Sequence, residues 1–188
     1  MPDTTIDHVV RSRAAQYGAK PMVVDPVARL SYGELDASTG ILAAAFVEAG
    51  VGKGTRVGLI MPNGVPWVQV AVALTRIGAV LVPLSTLLQP RELLAQMRVA
   101  SVQFLITVEE FRGHRYLDDL RSALGSPQLA TEEPLQYPAL PALRRILTAN
   151  WLMNVCSSEP ATSIIDPLTQ TVTASHSFVI VFTSGSSG

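Results

Sequence analysis

Residues 57–88 read VGLIMPNGVPWVQVAVALTRIGAVLVPLSTLL, and Arg76 is the single charged residue among them. A membrane-spanning helix needs about 20 nearly continuous apolar residues. Here Pro62, Asn63, Gly64, Pro66, Gly78 and Pro83 interrupt the run. The stretch therefore divides into a strand at Val57–Met61, a helix at Val65–Ile77 and a second strand at Ala79–Val82. Asn63 is the expected cap of that helix and Pro66 lies in its first turn. The strands lack strict in–out alternation, which fits burial on both faces.

The same alternation continues outward. Downstream, Gln89-Pro90-Arg91-Glu92 opens a helix running to about Ala100. Val102–Thr107 is a strand, and Arg112–Leu124 is a helix with Tyr116, Leu117, Leu120 and Leu124 on one side. Upstream, Ile6, Val9, Val10, Arg13, Ala14 and Tyr17 recur at helical spacing up to Gly18. Met22–Val24 and Ala28–Leu30 flank the Asp25-Pro26 turn as a hairpin. Ser31 and Glu34 form a capping box for a helix that stops at Gly50. The glycines of Gly50–Gly54 follow a helix and precede a strand, the reverse of a dinucleotide fingerprint, so they are read as a cap and a turn. Alternating strands and helices predict an α/β fold, a largely parallel sheet with helices on both faces. Residues 125–177 read as a loop-rich connection: Pro127, Pro134, Pro138 and Pro141 punctuate its start, Arg144–Leu147 is a short strand, and Asn150–Ser177 is mostly loop. Phe178–Phe182 closes the sheet.

Composition excludes some functions. A net charge of −1 over 188 residues supplies no basic surplus for nucleic acid. With Cys156 the only cysteine, no internal disulfide forms, which suits a reducing compartment. The N-terminus has neither the apolar core nor the cleavage site of a secretory signal, so a cytoplasmic location without a transmembrane segment is expected.

The final stretch, Phe178 to Gly188, reads FVIVFTSGSSG. Thr183, Ser184, Gly185, Ser186, Ser187 and Gly188 follow a strand directly. Glycine permits the positive φ angles that turn successive N–H groups inward as an anion nest, and the hydroxyls add donors for phosphate oxygens. A loop at the carboxyl end of a parallel strand lies where open α/β sheets bind ligands. It is not a Walker A loop, because no Gly-Lys-[Ser/Thr] is present. A flexible Gly-Ser linker is the plain alternative reading of these residues. His8, His114 and His176 are isolated, Trp67 and Trp151 read as packing residues, and no side chain is assigned a catalytic role.

The Thr183–Gly188 loop resembles the phosphate-binding signature of the adenylate-forming superfamily: acyl-CoA synthetases, luciferase and peptide-synthetase adenylation domains. Four upstream stretches are similar to further motifs of that family: Leu30-Ser31-Tyr32-Gly33-Glu34-Leu35-Asp36, the passage from Gly50 to Asn63, Gly78-Ala79-Val80-Leu81-Val82-Pro83-Leu84, and Pro90-Arg91-Glu92-Leu93. Thr55 replaces a usual Asp, and Ser175-His176-Ser177 stand where the family usually carries an acidic residue. Phe111–Leu117 leans towards the AMP-forming fatty-acid–CoA ligases. The resemblance implies that residues 1–188 are the N-terminal part of an AMP-binding domain, with the C-terminal domain and the later motifs missing. It implies a ligase of lipid metabolism that uses ATP, Mg2+ and coenzyme A. A carboxylic acid, with a fatty acid as the expected class, becomes an acyl-adenylate and then a thioester. Thr183–Gly188 would contact the nucleotide phosphates. A fatty-acyl-AMP ligase, a carrier-loading adenylation enzyme and a non-catalytic phosphate-binding or interaction module are the alternatives. The 188 residues alone are expected to be inactive, to self-associate through exposed apolar surface, and to leave a peripheral membrane location open.

Overall fold

The computed structural model describes residues 4–125, 137–156 and 162–183. In chain order the elements are α1 (Ile6–Tyr17), β1 (Pro21–Val24), β2 (Arg29–Ser31), α2 (Tyr32–Glu48), β3 (Arg56–Ile60), α3 (Val65–Arg76), β4 (Val80–Pro83), α4 (Pro90–Val99), β5 (Phe104–Thr107), α5 (Tyr116–Leu124), β6 (Arg145–Thr148), α6 (Ala149–Cys156), a 3-10 turn (Thr162–Ile164) and α7 (Ile165–Thr169). They group into two compact units. One holds residues 1–55, 62–80 and 150–178, and the other holds residues 56–61, 81–149 and 179–188.

The first unit is helical, with one small antiparallel hairpin. Thr5 caps α1 by accepting the His8 N–H (3.2 Å), and Gly18 ends the helix at a positive φ of 40°. β1 and β2 pair antiparallel as expected, and the turn between them is held by Asp25 Oδ1, which accepts the Val27 and Ala28 amides. The capping box forms: Ser31 Oγ accepts the Glu34 amide (3.2 Å), and the Ser31 amide donates to Glu34 Oε2 (2.8 Å).

The start of α3 differs from expectation. Its cap residue is Gly64, not Asn63, and the carboxylate that satisfies the Val65 amide comes from the hairpin turn, Asp25 Oδ2 at 2.9 Å. A Cβ at Gly64 would stand 2.8 Å from that oxygen, so the glycine leaves the space in which a distant residue caps the helix. Sequence reasoning places a cap next to its helix; here the fold brings one from 40 residues away.

Arg76 ends α3 almost fully buried, its side chain 2% exposed. It donates to Asp7 Oδ1 on α1 (2.7 Å) and to Thr39 Oγ1 on α2 (2.8 Å), and it pairs with Asp36 Oδ1 (2.8 Å). The lone charge of the apolar stretch thus joins three helices. Asp7 also accepts from Arg11, and Arg11 reaches Asp166 on α7 (2.6 Å). Residues 150–177, expected to be mostly loop, carry α6, the 3-10 turn and α7 among the described residues. The apolar spacing of Trp151, Leu152 and Val155 is too short to announce a helix by itself. It becomes one where Trp151 stacks on Phe46 with ring centres 5.5 Å apart. After α7 the chain crosses Gly78, whose φ is +73° and where a Cβ would lie 2.9 Å from Val172 Cγ2. Lys53 Nζ donates to the Thr171 carbonyl beside it (2.7 Å).

The second unit is built on the parallel sheet, in the order β4-β3-β5-β6. β3 pairs with β5 from Val57↔Phe104 to Ile60↔Thr107, and β5 with β6 from Phe104↔Arg145 to Thr107↔Thr148, both parallel. The amide–carbonyl bonds Val80–Thr55 and Leu84–Leu59 keep one sequence offset, so β4 also runs parallel to β3. The expected α/β class, a parallel sheet flanked by helices, is therefore present. Leu93 and Met97 of α4 and Tyr116 and Leu120 of α5 pack with Ile60, Val82, Leu84, Leu105 and Ile146 of the strands and their ends in one dry cluster. Gly58 lies under this packing: a Cβ there would come within 3.1 Å of Leu84 Cδ1 and Val102 Cγ1. The strand expected at Arg144–Leu147 appears as β6.

Candidate functional site

All four strands run in one direction, so the chain segments that leave them in that direction gather at one edge of the sheet. Within the second unit these are the turn after β4 (Ser85–Gln89), the segment after β5 (Val108–Arg115) and the end of the closing segment at Thr183.

The closing segment joins the sheet next to β4. Leu81 and Val179 form a parallel bridge, and the Ile180 amide donates to the Leu81 carbonyl (2.9 Å). Ile180 and Phe182 pack against the dry cluster, whereas Val181 points outward and is 65% exposed. The expected strand Phe178–Phe182 is thus reduced to a single bridge at Val179, with Ile180 and Phe182 half-buried. Thr183 follows, exposed. Ser184, Gly185, Ser186, Ser187 and Gly188 lie outside the described residues.

The turn after β4 is tightly made. Ser85 Oγ accepts the Leu87 amide (3.2 Å), and the Ser85 carbonyl accepts the Leu88 amide (3.3 Å). The Thr86 carbonyl is taken by the phenol of Tyr116 (3.0 Å), the first residue of α5 and only 1% exposed. Burial, and after it the charge of Asp119, push that phenol above its ordinary value, so it stays an O–H donor. α4 starts straight after the turn, with Pro90 in its first turn and Glu92 Oε2 accepting the Gln89 amide (2.8 Å).

The segment after β5 corrects a second expectation. α5 begins at Tyr116 rather than Arg112, because Phe111 and His114 exchange two backbone hydrogen bonds of 3.0 Å across a tight turn. Arg112 (φ 52°) and Gly113 (φ 82°) both take the left-handed conformation that such a turn requires. An Arg-Gly pair is a weak signal for this turn beside the usual Asn-Gly. His114 stacks on Tyr116 with ring centres 6.1 Å apart, and its Nδ1 lies 3.8 Å from Asp119 Oδ2.

The other singled-out residues lie in the first unit. His8 is exposed on α1, and His176 Nδ1 accepts the Thr173 amide (2.9 Å) in a local turn. Trp67 is half-buried on α3. Among the described residues no group of three or more His, Cys, Asp or Glu could hold a metal ion. No helix among the described residues is long and apolar enough to cross a membrane.

Comparison with known proteins places this arrangement in a family. Residues 10–188 match the AMP-binding enzyme family, and the chain belongs to it. It is 29% identical over 142 residues to the sulfoacetate–CoA ligase of Cupriavidus necator, spanning 73% of this chain and 28% of that enzyme. It is 25% identical over 122 residues to a mitochondrial medium-chain acyl-CoA ligase of Mus musculus, spanning 65% of this chain and 20% of the relative. The fold is like that of the Mycobacterium tuberculosis fatty acyl CoA synthetase, with a TM-score of 0.73 at 21% identity over 96% of this chain and 33% of the other. The chain thus spans a third or less of the length of these proteins.

Proposed function

We propose that this chain is the opening part of an ATP-dependent carboxylic acid–CoA ligase, with a fatty acid as the substrate class. Residues 1–188 form the N-terminal part of the AMP-binding domain, with residues 125–177 as the connection inside it. In the first step the acid's carboxylate oxygen attacks the α-phosphorus of ATP, and pyrophosphate leaves. In the second, the coenzyme A thiolate attacks the acyl carbon, and AMP leaves. Mg2+ would accompany the nucleotide phosphates and offset their charge.

This chain's own share is positional. Thr183, Ser184, Gly185, Ser186, Ser187 and Gly188 hold the nucleotide phosphates with backbone amides and hydroxyls, and no side chain here exchanges a proton with substrate. The observation that carries the reading is the emergence of Thr183 from a parallel segment beside β4, at the edge where the β4 and β5 connections also gather. Membership of the AMP-binding family supports it. In the same reading the 188 residues alone do not turn over substrate, the enzyme works in the cytoplasm or loosely at a membrane, and exposed Val181 marks an edge through which isolated chains self-associate.

The test is carboxylate-dependent exchange of labelled pyrophosphate into ATP by the longer natural protein, with acids from acetate to palmitate. Exchange greatest with fatty acids is the expected result. Absence of exchange with every acid, or acyl-CoA formation by the purified 188 residues, overturns the corresponding part of the reading.

A further inference from the structure

Inside the first unit, α2, α3 and α6 border a cleft of about 290 Å3. Ser38 and Leu42 line it from α2, four residues apart, and Pro66 and Val70 line it from α3 at the same spacing. Residues so spaced share one helix face. Leu152 and Met153 of α6 complete the wall. Leu42 (5% exposed) and Val70 (1%) form the floor, and Met153 (62%) stands at the rim. Trp151, stacked on the buried Phe46 of α2, anchors α6 beside the cleft.

The polar part of the described lining is the Ser38–Gln69 pair. Ser38 Oγ gives its hydrogen to the Glu34 carbonyl (2.6 Å), so it can only accept from Gln69 Nε2 (3.0 Å). That bond fixes which way the Gln69 carboxamide turns. Gln69 keeps a second N–H and its Oε1, and neither has a partner among the described residues. Together they can satisfy a group that both donates and accepts. The described lining carries no charged side chain, so an ionised group entering it would be desolvated without a counter-charge.

We infer that this cleft binds a neutral amphiphile, with a hydrocarbon body against Leu42, Val70, Leu152 and Met153 and a hydroxyl or amide head on Gln69. A dry cavity of roughly 150 Å3 takes a benzene ring, so this cleft suits a body on the order of ten carbon atoms. The site is independent of the Thr183–Gly188 loop and of the ligase reading, because its described lining lies wholly within the first unit.

The experiment titrates octanol, octanoate and benzene at neutral pH into the full chain and follows the methyl resonances, with thermal unfolding in parallel. Octanol should shift the methyls of Leu42, Val70, Leu152 and Met153 saturably. Octanoate, of the same length but ionised, should bind at least about tenfold more weakly. Gln69→Leu should weaken octanol about fivefold, as loss of a neutral hydrogen bond does, and leave benzene, which has no head, unchanged. Leu152→Trp fills the cleft and should abolish binding of octanol and benzene alike. Wild-type shifts that do not saturate, that fall on other methyls, or that persist in Leu152→Trp overturn the site. Unchanged octanol affinity in Gln69→Leu overturns the head contact, and octanoate binding as tightly as octanol overturns the preference for a neutral head.

Discussion

The interiors of the two units differ. In the first, buried apolar side chains such as Phe46 and Leu74 share the interior with a charge cluster: Arg76 is enclosed by Asp7, Asp36 and Thr39, and Arg11 links Asp7 to Asp166. In the second, the centre is dry. Ile60, Leu105, Tyr116 and Leu120 are each 1% exposed or less, and the polar atoms of the strands are spent on the parallel ladder. A buried ion cluster is directional and fails when one member is removed, because the partners are left charged and desolvated. An apolar cluster is non-directional and fails in proportion to the volume lost. The charge cluster of the first unit should therefore be sensitive to the identity of single residues, and the dry centre of the second to their size.

The largest expected effect tests that contrast directly. Arg76→Ala should destabilise the protein by up to about 3–5 kcal/mol in urea unfolding, because the buried side of the cluster loses its cation and Asp7 keeps only the half-exposed Arg11. In a double-mutant cycle, Asp7→Asn in the same chain should recover a substantial part of the loss. Leu105→Ala should cost about 2–5 kcal/mol and should not couple to Asp7. Simple additivity between Arg76 and Asp7 would break the comparison.

Gly78→Ala comes next. The positive φ of 73° and the 2.9 Å approach to Val172 together predict a loss of about 1–3 kcal/mol, read from thermal unfolding. Adding Val172→Ala should relieve the crowding and leave only the backbone strain. If Gly78→Ala proves neutral, the segment after α7 is not seated on that glycine.

The smallest effect is electrostatic. The Val65 amide first, and then those of Ala28 and Val27, hold the Asp25 carboxylate below its ordinary range. A pKa lowered in the folded state gives stability that is present above the unfolded value. It is lost as pH falls below about 4, through the folded one. The Asp25 carboxyl resonance should therefore titrate below that of an unstructured aspartate. Asp25→Asn should remove this part of the acid dependence from urea midpoints. An unshifted titration would mean that the hairpin turn does not cap α3.

Much of this was legible because it is local. Gly18, Ser31 and Gly50 mark helix ends through contacts made within a few residues, and the Val57–Leu88 stretch divides at its prolines and glycines wherever it sits. Its one charge was equally visible, but not its use, because Arg76 meets Asp7 only after 69 residues of chain have folded. The start of α5 falls later than expected because nothing local excludes helix at Arg112 until the Phe111–His114 pairing claims that residue. The candidate site divides in the same way. Thr183 and the residues after it announce themselves by composition and by their place after an apolar run. The turn after β4, held from a distance by Tyr116, carries no signal of its own, since a serine before Thr-Leu-Leu is ordinary.

The sequence alone therefore sets the order of strands and helices as far as β6, most of their ends, and the small, hydroxyl-rich composition of Thr183–Gly188. These depend on backbone sterics, capping and apolar periodicity, whose range is a few residues. Only the folded chain sets which carboxylates enclose Arg76 and which distant aspartate caps α3. Each of those is a meeting of residues far apart in the chain, and it exists only once strand register and helix packing have fixed where the backbone goes.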